Sequence, residues 1–186
     1  MMKPFSFLKG FFYGKNLSVY VCKHLDYLTE WSGMLLFWHQ AYLIWDIMNK
    51  DKFEIPADLK IAAKEAYRNA YAPYSKFHVG AAALTAQGNI VQGCNVENAS
   101  YGLTVCAERN CISNAVIKGE QNFQMIVIYT EQDKLTPPCG ACRQVIAEFF
   151  EQSAPVVAIN HKDEQQVWNV QQLLPDAFTP KDLLEI

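Results

Sequence analysis

The sequence predicts an α/β fold in which helices cover a mixed sheet, and three observations lead to it. After Pro56 and Asp58, apolar residues recur with the spacing of an amphipathic helix as far as Ala70. Residues 77–95 then have the pattern of a β-hairpin, with a Gln-Gly-Asn turn at 87–89. Helical and strand patterns alternate along the rest of the chain, which is typical of a sheet with helices on its faces.

The apolar patterns after the hairpin predict two helices, two strands and a short C-terminal helical segment. In chain order these elements cover residues 104–118, 125–129, 139–152, 155–159 and 170–174. Thr104 is a favourable N-cap for the first of these helices, and Gly119 is the residue type that commonly ends one. The run 125–129 is apolar at every position, which predicts a strand buried on both faces.

The bulk composition excludes some classes of partner. The chain has 186 residues, of which 51% are hydrophobic, and its formal net charge is −3. That length and apolar content suit one domain with a well-formed core and an appendage. Because Lys and Arg form no run in a mildly acidic chain, we expect no nucleic-acid partner held by bulk electrostatics.

Composition changes near residue 48, which divides the chain into an aromatic-rich extension, residues 1–53, and a domain, residues 54–186. Residues 31–45 contain no Asp, Glu, Lys or Arg, but they are 15 residues long and a bilayer span needs about 20. The extension is open to three interpretations: an interfacial helix, a dimerisation segment, or translated upstream sequence with Met48 as an alternative start. Any membrane contact is expected through residues 1–47 only.

Three cysteines and one glutamate carry the strongest chemical signal. The motif Cys-Ala-Glu occurs at 106–108, and Pro-Cys-Gly-Ala-Cys follows at 138–142. Three thiolates, from Cys106, Cys139 and Cys142, can hold a zinc ion (Zn²⁺) and leave the fourth tetrahedral position open for water, as in catalytic zinc sites. A carboxylate at Glu108 is then placed to move protons beside that water. C-x-E followed by P-C-x-x-C is the pattern of zinc deaminases.

Both cysteine motifs fall at the start of a predicted helix. The exposed amides and the dipole at a helix N-terminus favour anions and lower the pKa of a thiol. Three thiolates and one Zn²⁺ leave a net charge of −1, which is unfavourable for activating water. Arg109 lies three residues after Cys106 on the same helix face, so we expect it to hydrogen-bond the ligand sulfurs and offset this charge.

Two other interpretations of the cysteines remain open. A structural zinc site would need a fourth ligand, and the candidates are Cys94, Cys111, His78 and His161. Structural sites more often pair two C-x-x-C motifs, and this chain has one. A redox C-x-x-C would leave the Cys-Ala-Glu motif unexplained. Outside such roles, Cys94 and Cys111 are expected to be small buried apolar residues, and both histidines to be surface or packing residues.

Five motifs occur in order across residues 54–186. They are Ala-Pro-Tyr-Ser-Lys-Phe at 72–77, Val-Gly-Ala-Ala at 79–82, Asn-Val-Glu-Asn-Ala-Ser-Tyr at 95–101, Thr-Val-Cys-Ala-Glu-Arg at 104–109 and Pro-Cys-Gly-Ala-Cys-Arg-Gln at 138–144. In these motifs the chain resembles the cytidine deaminases, specifically the small homotetrameric type with three cysteine ligands. The resemblance implies a three-layer α/β/α fold with a mixed central sheet, a zinc cofactor, and a cytoplasmic homotetramer. The implied reaction is hydrolytic deamination of cytidine and 2′-deoxycytidine in pyrimidine salvage.

The resemblance also implies how the nucleoside is bound. Phe77 corresponds to the aromatic residue that packs against the pyrimidine, and Asn95 and Glu97 to the pair that hydrogen-bonds the ribose hydroxyls. Ala107 would offer backbone groups to the pyrimidine, and Glu108 would carry the proton from water to the ring nitrogen. From the residues alone, Phe77 could equally belong to the core and Asn95 to a turn.

Three further residues have implied positions near the substrate or the metal. Tyr101 lies in the stretch that such enzymes use around the sugar, partly across subunits. Phe178 would cap a pocket, in a neighbouring subunit, although it could equally belong to the core. Gln144 would hydrogen-bond around the zinc cluster.

Two rival functions are weighed against cytidine deamination. The first is a deaminase of another aminopyrimidine nucleoside, such as a nucleoside antibiotic. The second is a zinc-stabilised interaction protein without enzymatic activity, in which the aromatic extension is the docking element. An open zinc position predicts inhibition by small zinc-binding ligands, whereas a closed site predicts none.

Overall fold

A five-stranded sheet is the central element of the computed structural model, which describes His39 and residues 53–184. The strands are β1 Gly80–Thr85, β2 Ile90–Cys94, β3 Phe123–Tyr129, β4 Pro155–Ile159 and β5 Gln165–Asn169. The helices are α1 Ala57–Arg68, α2 Ala107–Ile117, α3 Gly140–Phe149, α4 Val170–Leu173 and α5 Pro180–Leu184, with a 3₁₀ turn at Tyr101–Leu103. All of these elements lie in one compact unit, Phe53–Ile186.

The strands lie in the order β2-β1-β3-β4-β5, and the sheet is mixed as predicted. β1 is antiparallel to both β2 and β3, so the predicted hairpin is confirmed. β3 and β4 are parallel, and α3 lies in the connection between them, as a parallel pair requires. β5 returns antiparallel to β4 at the edge.

Helices cover both faces of the sheet, which confirms the three-layer α/β/α architecture. Neighbouring residues of a strand point to opposite faces, and Ile126 and Val127 of β3 show this. Ile126 packs in one core cluster with Ile112 of α2 and Ile146 of α3. Val127 packs in the other cluster with Leu59 of α1. The helices that carry the cysteine motifs therefore share one face, and α1 covers the other.

A glycine in β2 lets α2 lie directly on the sheet. A Cβ atom at Gly93 would stand 2.2 Å from the Cys111 nitrogen and 2.6 Å from the Ala107 oxygen. Only a residue without a side chain permits this approach of strand and helix backbones. The close approach fixes the start of α2, where the Cys-Ala-Glu motif lies.

The start of α2 differs from the prediction. Cys106 is the N-cap and not Thr104, which directly follows the 3₁₀ turn. Val105 is in extended conformation and exchanges backbone hydrogen bonds of 2.9 and 3.0 Å with Val96, so the helix cannot begin earlier. The predicted end is confirmed, since Gly119 has a φ of +84° just after the helix.

Two elements of the C-terminal part were not predicted. β5 has the sequence Gln-Gln-Val-Trp-Asn, which lacks a clear apolar alternation, and it pairs on one side only, with β4. α5, Pro180–Leu184, is a single short helix of five residues.

The first strand was predicted from Phe77 but begins at Gly80. Apart from His39, the predictions for residues 1–47 lie outside the described part of the chain, and within that part no helix is long and apolar enough to cross a membrane.

Candidate functional site

Three cysteine thiols meet where α2 and α3 begin. Cys106 and Cys139 are the N-cap residues of these helices, and Cys142 lies in the first turn of α3. The Cys106 and Cys139 sulfurs are 3.8 Å apart, those of Cys139 and Cys142 are 3.5 Å apart, and all three lie within 4.8 Å of one another. A tetrahedral zinc ion about 2.3 Å from each sulfur requires sulfur separations of about 3.8 Å, so the group fits zinc.

The electrostatics of the three thiols also suit a cation. A hydrogen bond from Cys142, opposed by burial and aided by Arg109, lowers the pKa of Cys106 to about 5. The same hydrogen bond, together with burial, raises the pKa of Cys142. The group by itself therefore favours one thiolate stabilised by a neighbouring thiol. Zinc ligands must be deprotonated, and a divalent cation supplies the charge that lets the other thiols ionise.

Arg109 stands beside the sulfur cluster, as predicted from its spacing. Its Nη2 atom lies 3.1 Å from the Thr104 carbonyl oxygen and 3.8 Å from the Cys106 sulfur. Its Nε atom is buried and has no hydrogen-bond partner. The hydrogen bond to Cys106 raises the pKa of the guanidinium, which keeps a positive charge next to the Cys106 sulfur.

Glu108 is buried in the first turn of α2, with 4% of its surface exposed. Burial is the main cause that raises the pKa of its carboxyl group, and the nearby Cys106 thiolate raises it further. Ala107, between Cys106 and Glu108, is fully buried. An isolated buried carboxyl group is costly, and such groups with raised pKa values are characteristic of acid–base catalysis.

The four alternative zinc ligands lie in other surroundings. The Cys94 thiol contacts the carbonyl oxygen of Asn69, and the Cys111 thiol contacts that of Val91. The His78 ring packs near the ring of Tyr67, and His161 lies beside the carboxylate of Asp133. Among the described residues the candidate metal group holds three cysteines and none of these four. Cys111 is buried, as predicted, and burial raises its pKa to about 12. Cys94 is half-buried, so the prediction that it is a buried residue is wrong.

Asn95 holds the loop that carries Phe77. Its side-chain Oδ1 accepts a hydrogen bond of 2.9 Å from the Val79 nitrogen, and its Nδ2 donates one of 2.8 Å to the Phe77 oxygen. Asn95 is itself buried, whereas Phe77 is half-buried at the end of this loop. The side chain implied to bind ribose thus also fixes the backbone on both sides of His78.

Glu97 holds the same loop at an earlier point. Its Oε2 atom accepts hydrogen bonds from the backbone nitrogens of Tyr74, at 2.9 Å, and Ser75, at 3.2 Å. Its Oε1 atom accepts one from the Ser75 hydroxyl, and the Ser75 oxygen accepts another, of 3.0 Å, from the Phe77 nitrogen. The Ser75 hydroxyl is the main cause that holds the pKa of the Glu97 carboxyl below its usual value.

Sequence reasoning missed Ser75 and Arg143. A serine hydroxyl that accepts from the amide two residues later forms a local turn, and Ser75 followed by Phe77 has that spacing. Arg143 donates to the carbonyl oxygens of Pro138, at 2.9 Å, and Leu173, at 3.1 Å, and so anchors the loop before Cys139 to α4. Its only cue in the sequence is its place directly after the last cysteine of the P-C-x-x-C motif.

Of the remaining predicted site residues, Tyr101 and Phe178 are exposed and Gln144 is half-buried. Tyr101 is 59% exposed, and its ring centroid is 6.0 Å from that of Tyr74. Phe178 is 57% exposed, which excludes the alternative that it belongs to the core. The Nε2 atom of Gln144 donates a hydrogen bond of 2.7 Å to the Phe178 oxygen, so Gln144 ties α3 to the C-terminal segment. The roles assigned to these three residues stay predictions.

Known proteins are similar to this chain in sequence and in fold. The sequence model described as "Cytidine and deoxycytidylate deaminase zinc-binding region" matches residues 57–159. A cytidine deaminase of Sporosarcina psychrophila is 46% identical over 121 residues, which are 65% of this chain and 89% of the relative. A probable cytidine deaminase of Dictyostelium discoideum is 41% identical over 140 residues, covering 74% of this chain and 90% of the relative.

Solved structures agree with the sequence relatives. The crystal structure of a Burkholderia pseudomallei cytidine deaminase superposes with a TM-score of 0.64 at 45% identity, covering 67% of this chain and 100% of that one. The Mycobacterium tuberculosis cytidine deaminase gives a TM-score of 0.58 at 37% identity, covering 67% and 98%. Together with the three-cysteine group and the mixed sheet, these similarities establish that the chain belongs to the cytidine and deoxycytidylate deaminase family.

Proposed function

We propose that this chain catalyses the zinc-dependent hydrolytic deamination of cytidine and 2′-deoxycytidine to uridine and 2′-deoxyuridine, with release of ammonia. The main support is the juxtaposition of three thiols within 4.8 Å with a buried carboxyl group, Glu108, in the first turn of the helix that Cys106 caps. Relatives that share more than 40% identity with the chain are named cytidine deaminases.

The proposed mechanism assigns the metal ligands to Cys106, Cys139 and Cys142. When bound, the zinc ion supplies a Lewis acid that makes water nucleophilic near neutral pH. Arg109 offsets part of the negative charge that three thiolates bring to the site. Because the three side chains come from the starts of α2 and α3, the packing of these two helices sets the geometry of the centre.

Glu108 acts as the proton shuttle of the reaction. It accepts a proton from water as the oxygen adds to C4 of the pyrimidine, and it delivers that proton to the adjacent ring nitrogen. It then takes the proton of the new hydroxyl group at C4 and passes it to the amino group, so that C4=O forms, the bond from C4 to the amino nitrogen breaks, and ammonia leaves. Burial of Glu108 raises the pKa of its carboxyl group, which strengthens it as a proton acceptor.

Asn95 and Glu97 provide the proposed ribose contact. A carboxylate accepts about four hydrogen bonds, and Glu97 already receives three. After its bonds to Phe77 and Val79, the Asn95 side-chain amide can still donate one hydrogen bond from its nitrogen and accept one at its oxygen. The remaining capacity suits one sugar hydroxyl, which donates to Glu97 and accepts from Asn95. A site of this kind accepts both the ribose and the deoxyribose nucleoside.

The pyrimidine ring is assigned to Phe77 and Ala107. Phe77 is half-buried at the end of the loop that Asn95 and Glu97 hold, which supports its assignment beside the proposed ribose contact. Ala107 is fully buried between Cys106 and Glu108, and its backbone groups are proposed to bind the polar edge of the base. Nucleosides carry no phosphate, and this agrees with a chain of net charge −3.

We propose a homotetramer as the active assembly. Exposed apolar side chains are concentrated between residues 71 and 103, and they are Tyr71, Tyr74, Ile90, Val96, Tyr101 and Leu103. Exposed apolar patches commonly mark protein–protein contacts. Tyr101 belongs to this surface, and Phe178 is exposed as well, which supports their assignment to pockets shared between subunits.

We also propose that residues 54–186 form the catalytic domain and that residues 1–53 are an extension to it. All residues assigned to the site lie between Phe77 and Phe178.

A cytoplasmic location is proposed because the proposed zinc ligands are thiols, which reducing compartments keep free of disulfides. A role in pyrimidine salvage follows from the proposed substrates and products.

Replacement of Glu108 tests the proposed reaction. We expect Glu108→Ala and Glu108→Gln to retain zinc, measured by metal analysis, because the sulfur ligands are unchanged. Loss of the proton shuttle should lower kcat for cytidine by about 100- to 10,000-fold, measured by the ultraviolet absorbance change. Glu148→Gln, on the exposed surface of α3, is the matched control and should leave both zinc content and turnover unchanged.

The outcome separates the rival functions. Turnover by Glu108→Gln at the wild-type rate would contradict the role of Glu108. Wild-type protein that contains zinc but leaves cytidine intact would indicate another aminopyrimidine nucleoside or a non-enzymatic protein. A small zinc-binding inhibitor that competes at the metal would then favour an enzyme, because it needs an open coordination position.

A further inference from the structure

One hydroxyl group connects the two sides of the proposed nucleoside pocket. The Ser75 hydroxyl donates to Oε1 of Glu97 and accepts a hydrogen bond of 3.0 Å from the Phe77 nitrogen. Glu97 is the proposed partner of the sugar and Phe77 the proposed partner of the base. The two contacts are therefore coupled through a single side-chain atom.

The backbone conformation of the loop around Ser75 requires hydrogen bonds of this kind to hold it. Lys76, between Ser75 and Phe77, has a φ of 59°, which is the left-handed region that residues with side chains seldom occupy. Its own nitrogen donates back to the Ala72 oxygen at 3.1 Å. A strained residue persists only where its surroundings hold it in place, and here the bonds to Ser75 and Glu97 flank it.

The C-terminal part of the loop, after Phe77, is held by Asn95. Asn95 accepts from the Val79 nitrogen and donates to the Phe77 oxygen, so it fixes the carbonyl end of Phe77. Ser75 fixes the amide end of the same residue. Glu97, which is 6% exposed, receives three hydrogen bonds from Tyr74 and Ser75, and the hydroxyl is the only side-chain donor among them.

On the proposed function, in which Phe77 and Glu97 contact the nucleoside, we propose that Ser75 is a positioning residue for substrate binding. Its hydroxyl orients the Glu97 carboxylate toward the sugar and sets the backbone from which the Phe77 ring projects. Ser75 acts through these two residues and not on the reacting atoms, since Glu108 and the cysteines lie on α2 and α3. Loss of the hydroxyl should therefore weaken binding and leave the chemical step intact.

Steady-state kinetics on the full-length zinc protein test this role. For Ser75→Ala we expect the KM for cytidine to rise about 10- to 100-fold, as for a lost hydrogen bond to a charged group. We expect kcat to stay within about twofold of wild type, because uniform binding and not the transition state is affected. Ser75→Thr keeps the hydroxyl and should restore the wild-type KM. Ser153→Ala, an exposed serine before β4, is the control.

A sugar-specific readout separates positioning from a merely structural role. With 2′,3′-dideoxycytidine as substrate the sugar contact is missing and only the effect through Phe77 remains, so the KM of wild type and Ser75→Ala should differ less than with cytidine. In the double variant Ser75→Ala/Glu97→Gln, the rise in the KM for cytidine should be smaller than the product of the rises in the two single variants, since residues that act through one another are not additive.

Each contrary outcome has a distinct meaning. An active wild type whose KM is unchanged in Ser75→Ala overturns the inference and leaves the proposed function standing. Three other results would make Ser75 a structural residue and would also overturn the inference. They are equal increases of KM for both substrates, additive effects with Glu97→Gln, and loss of the fold in Ser75→Ala. Wild-type protein that binds zinc without deaminating cytidine contradicts the proposed function and removes the inference with it.

Discussion

At the scale of single residues, Arg109 places a positive charge beside the proposed three-thiolate centre. Its guanidinium lies 3.8 Å from the Cys106 sulfur, and its second contact, 3.1 Å from the Thr104 oxygen, fixes its orientation. Removal of such a partner of a metal ligand typically lowers metal affinity about 10- to 100-fold. For Arg109→Ala we expect a loss of zinc affinity in this range, measured by competition with a chromogenic chelator.

The control for this prediction is Arg68→Ala, which removes an exposed arginine at the end of α1, on the opposite face of the sheet. It should leave zinc affinity unchanged. Arg109→Lys keeps the charge but loses the planar donor geometry, so an intermediate affinity is expected. If Arg109→Ala bound zinc as tightly as the wild type, the guanidinium would have no part in stabilising the thiolates.

The sequence predicted the grouping of the three cysteines better than the contacts that support the site. Cys106 and Glu108 are two residues apart, and Cys139 and Cys142 are three apart, so local spacing already defines most of the centre. Asn95 and Glu97 were predicted only as ribose contacts, and the structure shows that they also hold the loop before β1. Such contacts join segments about 20 residues apart, and only the fold determines them.

At the scale of secondary structure, Gly93 determines how closely α2 approaches the sheet. A Cβ atom there would overlap the backbone of Ala107 and Cys111, and backbone atoms cannot move aside as a flexible side chain does. For Gly93→Ala we expect α2 to shift and to carry Cys106 and Glu108 away from their positions. Overpacking of this kind typically costs about 1 to 3 kcal/mol or more. Metal analysis should find substoichiometric zinc, and kcat/KM should fall.

Gly80 provides a matched comparison, because a Cβ atom there would overlap Ala63 and Tyr67 of α1. Gly80→Ala should destabilise the protein by a similar amount in urea unfolding. Since α1 carries none of the proposed ligands, the fraction that remains folded should retain its zinc. Equal loss of zinc in the two variants would mean that Gly93 acts on overall stability and not on the placement of α2.

The accuracy of the predictions also depended on the element. The buried strand β4 was predicted with its exact bounds, since Pro155–Ile159 is a short apolar run between polar turns. β5 was missed because Gln165–Asn169 is mostly polar and owes its extended conformation to pairing with β4. The start of α2 was misplaced because Thr104 is a good capping residue, but the bridge between Val96 and Val105 extends the chain beyond it.

At the scale of the whole molecule, the apolar surface between residues 71 and 103 predicts assembly. Leu103 is 66% exposed at the end of the 3₁₀ turn, beside Tyr101. A charged residue at this position would have to be buried without a partner if the surface is covered by another subunit, which is strongly unfavourable. We expect Leu103→Asp to dissociate the proposed tetramer, as measured by sedimentation velocity of the full-length protein.

Ile117→Asp is the appropriate control, because Ile117 is 85% exposed at the end of α2 but lies outside this surface in the sequence. It should sediment as the wild type does. If Tyr101 contributes to pockets shared between subunits, dissociation by Leu103→Asp should also raise the KM for cytidine while the zinc content stays constant. A Leu103→Asp protein that remains tetrameric would place the subunit contacts elsewhere, and a monomeric protein with unchanged KM would confine each substrate pocket to one chain.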